Sequence, residues 1–156
     1  MRTTSWTLEA LWIAIALVTA AALCLPAYLQ VGPYHEAFQL AGCAFLFVTL
    51  SRLIFFSERA PWMAPRFMKG VVPVLCVPVI LFAALTLNTV QNLVDAYGMD
   101  GIFLNARSQS AVQWGTYLRD IAVLVCSGTI VAAVILPGLL LIRLWRQVKG
   151  QLRARA

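Results

Sequence analysis

Val71 to Tyr97 reads VVPVLCVPVILFAALTLNTVQNLVDAY, an apolar run with two internal prolines that gives way to a polar stripe. As one continuous helix it would reach roughly 40 Å, against a hydrocarbon slab of about 30 Å, so its polar end projects past the lipid. That end carries Asn88, Gln91, Asn92 and Asp95. Their spacing puts all four on one helical face, and such a face meets a protein groove or water rather than lipid tails.

Outward from this stretch the chain repeats its theme. Apolar runs of similar length occupy Leu8 to Leu29, Ala37 to Phe56 and Ile121 to Ile142, and with Val71 to Val94 they make four candidate spans. The composition agrees: 62% of residues are hydrophobic, only 12% are charged, and mean hydropathy is +0.84. Lipid cannot satisfy free backbone groups, so a spanning chain is helical or a closed barrel, and runs without period-two alternation exclude the barrel. The expectation is a single all-α domain, a polytopic four-transmembrane-helix bundle with proline-kinked third and fourth helices. The first run exceeds the 7 to 15 residues or so of a signal-peptide core, and Ala22-Leu23-Cys24 is a poor cleavage site, so it reads as retained.

Basic residues orient the bundle, because Lys and Arg beside spans stay preferentially on the cytoplasmic side. Arg52, Arg59, Arg66 and Lys69 follow the second span, Arg143, Arg146, Lys149, Arg153 and Arg155 follow the fourth, and Arg2 precedes the first. Arg107 and Arg119 fall on the other side, with Glu36, Asp95, Asp100 and Asp120. Both termini are therefore expected in the cytoplasm, with the chain in a bacterial inner (plasma) membrane. Aromatic residues give the same topology: Trp6, Trp62 and Trp145 at the inner boundary, and Tyr28, Tyr34, Tyr97, Trp114 and Tyr117 at the outer one.

Local signals refine the picture. Ser5 caps the first span, with Glu9 in its opening turn. Ala10, Ala14, Ala16 and Ala20 form small-residue pairs that would place this span at the centre of the bundle. Arg52, about a turn from the inner end of its span, is expected to snorkel to the headgroups. Ser57 to Gly70 reads as an interfacial segment on anionic lipid, and Gly98 to Gln109 as an outer loop folded back on the surface. Ser110 and Gln113 have capping-box spacing for the fourth helix, Asp120 would pair with Arg107, Arg119 or a polar group of the third span, and Gly150 stops the helix before the basic tail. The tail Arg143 to Arg155, alternating charge with Leu144, Trp145, Val148 and Leu152, reads as a helix lying along the cytoplasmic leaflet; Arg143, Arg146 and Lys149, like Arg59, Arg66 and Lys69 before them, are placed there to meet lipid phosphate, which is favoured over nucleic acid beside membrane spans.

Reactive chemistry is sparse. His35 is the only histidine, so a bis-histidine haem between helices is not available within the chain. The lack of Cys-x-x-Cys removes the motif expected of membrane thiol oxidases. Cys24, Cys43, Cys76 and Cys126 come one per span instead, and three of them lie roughly 10 Å from the outer surface. Three thiolates there have the softness to hold a soft metal, although packing alone accounts for scattered cysteines. His35-Glu36 is the one candidate acid/base pair, though neighbours on a helix point apart, and Ser127 and Thr129 are expected to bond their own helix backbone or a neighbour. No catalytic residue, cofactor or metal is therefore assigned.

Two functions fit this reading. The first is a non-catalytic membrane subunit that scaffolds, anchors or stabilises a complex or a homo-oligomer, with Asn88, Gln91, Asn92 and Asp95 meeting the partner or closing the outer end with Arg119 and Asp120. The second is a small transporter or channel protomer, in which the same residues with His35 and Glu36 line an outward vestibule.

Overall fold

The computed structural model describes residues 2–30, 36–56, 63, 66–102 and 108–155. Apart from Met63 they form four helices: α1 (Arg2–Gln30), α2 (Glu36–Phe56), α3 (Arg66–Ile102) and α4 (Ser108–Arg155). All four are long and apolar enough to cross a membrane. The outward faces match that solvent. Leu11, Val18 and Leu25 on α1, Val74, Leu81 and Leu85 on α3, and Leu124, Val134 and Leu141 on α4 are all exposed, far more apolar surface than a soluble monomer leaves bare.

Two buried clusters define an up-down-up-down bundle. One gathers Ala20 and Cys24 late in α1, Leu40, Cys43 and Ala44 early in α2, Ala83, Val90 and Leu93 late in α3, and Leu118 to Cys126 early in α4. The other holds Leu50 and Leu53 of α2, Val72 and Cys76 of α3, and Ala132, Ala133, Leu136 and Leu140 of α4, with Met63 inserted between them. The start of α1 and the later part of α4 therefore share one end.

The helix order differs from expectation. α2 and α4 lie in the middle, α3 packs chiefly on α4, and α1 packs chiefly on α2 with only light contact to α4. Thus α1 is peripheral. The reason lies in its alanines: Ala16 and Ala20 are buried on the same side as Cys24, whereas Ala10 and Ala14 face outward. Only one of the two small-residue stripes is used for packing. α4 meets α2 tightly at Gly128, where a Cβ would lie 2.7 Å from the Phe47 ring.

Helix ends also depart from the sequence reading. α1 starts at Arg2, so Ser5 and Glu9 lie inside it and Ser5 is not its cap. α3 begins at Arg66 and runs to Ile102, shortening the loops on both sides. Its one non-helical residue is Gly98 (φ 68°, ψ 167°), conformational space open essentially to glycine alone. α4 begins at Ser108, two residues before the expected cap, and continues through Gly150 to Arg155. The basic tail is thus an extension of the fourth helix rather than a separate element.

Candidate functional site

α3 and α4 enclose a groove of about 240 Å³ near the end where α3 finishes and α4 starts. α3 contributes Leu87, Val90, Gln91, Val94 and Asp95, residues that share a face by their spacing of three and four. α4 contributes Arg119, Ala122 and Val123. Val90 and Ala122 are buried and form the floor, while Gln91, Asp95 and Arg119 are exposed at the rim. Among the described residues no ion pair joins Asp95 to Arg119. The groove therefore presents a carboxylate, a guanidinium and a carboxamide to one small space.

This arrangement divides the expected polar face. Gln91 and Asp95 meet Arg119 at the groove, whereas Asn88 and Asn92 are exposed on α3 without lining it. Asp120 is exposed on α4, also outside the lining. The stripe lies on the flank of the bundle and does not close its end. Trp114 and Tyr117, expected as interface aromatics, turn inward: both are half-buried against the core, in edge-to-face contact at 5.6 Å, and the Tyr117 hydroxyl donates to the Leu23 carbonyl oxygen at 3.3 Å. That bond ties α4 to α1.

At the other end Arg52 does not snorkel. Its Nη1 donates to Glu9 Oε2 at 2.6 Å and its Nη2 to Glu9 Oε1, a bidentate pair with side chains only 10% and 8% exposed. The guanidinium also lies 5.7 Å from the centroid of the Trp12 ring, on the same helix as Glu9. Nε of Arg52 is buried without an acceptor. The pair bridges two helices, and charged groups at such depth persist when they satisfy one another. A sequence signal existed: Glu9 lies seven residues after the start of α1 and Arg52 four residues before the end of α2, consecutive helices that run in opposite directions.

The cysteine prediction is met in part. Cys24, Cys43 and Cys126 share the first buried cluster, and the Cys43 thiol neighbours Cys126 and Thr86. Among the described residues no group of three His, Cys, Asp or Glu side chains is placed to hold a metal ion. The expected hydroxyl bonding is present. Ser127 donates to the Val123 carbonyl, and Thr129 to those of Val125 and Cys43, the latter across helices at 3.1 Å.

Of the remaining predicted residues, His35 and Arg59 lie outside the described residues, and Glu36 and Arg66 begin α2 and α3 with side chains outside the description. Lys69 is half-buried, while Arg146 and Lys149 are exposed. Arg143 is half-buried and reaches the Ile54 carbonyl of α2 at 3.5 Å, so it serves the bundle as well as any headgroup. Comparison with known proteins supplies no parallel: no protein family fits the chain, and no curated protein or solved structure matches it.

Proposed function

We propose that this chain is an integral membrane protein of the bacterial inner membrane that acts as a non-catalytic subunit, scaffolding, anchoring or stabilising a membrane complex or its own homo-oligomer. The observation that carries this reading is the exposed pair Asn88 and Asn92 on the outside of α3, continued by Asp95 at the rim of the groove. Polar groups left uncovered on a bundle flank prefer a polar partner to lipid. Both termini lie in the cytoplasm on this reading, with Arg59, Arg66, Lys69, Arg143, Arg146 and Lys149 toward anionic headgroups. Pro73, Pro78 and Pro137 lie within α3 and α4 and supply bends that fit these helices to a neighbour. A photo-crosslinker at Asn88 or Asn92 in native membranes should capture one discrete adduct, and Asp95→Ala should weaken the assembly on sedimentation. A monomer throughout, indifferent to Asp95→Ala, would refute the proposal.

A second reading is favoured by one observation, the groove that brings Asp95 and Arg119 to a common space. Here the chain is a transporter or channel protomer and the groove is part of an outward vestibule, completed by oligomerisation because four helices enclose little alone. Reconstituted chain that moves no solute under a pH or voltage gradient would remove it.

A further inference from the structure

We infer that the α3/α4 groove is a binding site for a zwitterion of the aminoethyl-phosphate class, namely the headgroup of a phosphatidylethanolamine-type lipid. The inference rests on the vestibule reading in one respect: the groove admits a small molecule and is not filled by a partner protein.

Charge sets the class. Asp95 and Arg119 face one cavity and, among the described residues, are not paired with each other. A ligand bearing only negative charge would meet Arg119 but be opposed by Asp95, and a simple cation would meet the reverse. An uncharged solute would displace water from both charges without replacing its hydrogen bonds. A ligand carrying both signs satisfies each: its ammonium donates to the Asp95 carboxylate, and its phosphate accepts from the Arg119 guanidinium, with Gln91 between the two classes as donor or acceptor.

Size and depth select among zwitterions. About 240 Å³ lies just below the pockets of roughly 300 to 1,000 Å³ that hold drug-sized ligands, so the occupant is of headgroup size. Toward the bundle's middle the lining turns apolar at Leu87, and from Leu87 to Asp95 the helix rises roughly 12 Å. An acyl chain attached to the headgroup would lie along Leu87 and the exposed Val123, the apolar residues of the lining itself. A water-soluble zwitterion would leave that wall unused.

The full chain, purified and placed in nanodiscs with equal phosphatidylethanolamine, phosphatidylglycerol and phosphatidylcholine, is released from bulk lipid and read by native mass spectrometry. Retained phosphatidylethanolamine should exceed phosphatidylglycerol at least fivefold. Phosphatidylcholine should fall between them, because its quaternary ammonium cannot donate to Asp95. Asp95→Asn should bring the excess near parity, and Arg119→Gln, which removes the donor to the phosphate both lipids carry, should lower retention of both, whereas exchanging the two charges in one double variant should retain the excess. Both side chains are exposed, so melting temperatures should match the parent chain. Equal retention of the three lipids, an excess that survives Asp95→Asn, or lipid retention unmoved by Arg119→Gln overturns the inference. Displacement by soluble glycerophosphoethanolamine as potent as the lipid also overturns it, since the source would then be a solute. A lipid excess without solute flux would remove the transport reading and leave this one standing; flux without lipid selectivity would do the opposite.

Discussion

Removing Glu9 is the sharpest test of how α1 is held. Arg52 donates through both terminal nitrogens to the Glu9 carboxylate, and the pair is almost fully buried. Deleting one member of a buried pair costs about 3 to 5 kcal/mol, because the survivor keeps neither water nor counterion. Two features push toward the lower figure. Glu9 lies three residues from Trp6, so a released guanidinium has only about 4.5 Å to cover toward water. The Trp12 face, 5.7 Å away, also goes on attracting it, by about 0.5 to 2 kcal/mol. Glu9→Ala should therefore cost about 3 kcal/mol. Glu9→Gln, which keeps a hydrogen bond but not the charge, should cost about half that. The double variant Glu9→Leu/Arg52→Met should be close to neutral, since it removes both desolvated charges at once. Reversible unfolding in mixed micelles, followed by tryptophan fluorescence, gives all three. A Glu9→Ala cost under about 1 kcal/mol, or a double variant costing the sum of the two single changes, would refute the reasoning.

The α2–α4 contact predicts that Gly128→Ala, whose Cβ meets the Phe47 ring at 2.7 Å, destabilises by about 1 to 3 kcal/mol, and that Phe47→Leu in the same chain recovers most of the loss in the same unfolding assay. Gly98→Ala should cost about 1 to 3 kcal/mol through its positive φ, seen as faster amide hydrogen exchange in 99–102. The two alanine stripes of α1 should differ: Ala16→Leu overpacks the α2 interface by about 1 to 3 kcal/mol, whereas Ala10→Leu stays within about 0.5 kcal/mol in the unfolding midpoint.

What the sequence made legible was what the solvent dictates. Four apolar runs without alternation have one backbone solution in lipid, and four such helices form. Their ends were unevenly legible: the capping-box spacing at Ser110 came within two residues of the start of α4, but hydropathy marks where lipid begins while helical hydrogen bonding continues past it, as through Arg66 to Lys69 in α3. Neighbour order was not legible at all. α1 carries small residues on two faces, and only the position of α2 selects Ala16 over Ala10. Cys24, Cys43 and Cys126 were placed at a common depth by helical rise alone, yet rise says nothing of azimuth, so a common depth was foreseeable and the way the three side chains face one another was not. The same gap separates Gln91 from Asn88: both lie on the polar face, and the path of α4 decides which one meets Arg119.

The buried pair also bears on biogenesis. Glu9 and Arg52 are 43 residues apart, so on the proposed insertion the acid emerges from the ribosome well before its base. A carboxylate delayed alone would stay at the headgroups until the second helix arrives. The first two segments should accordingly partition as a hairpin, and a chain arrested upstream of Arg52 should show α1 incompletely inserted by glycosylation mapping, a defect that Glu9→Leu would relieve.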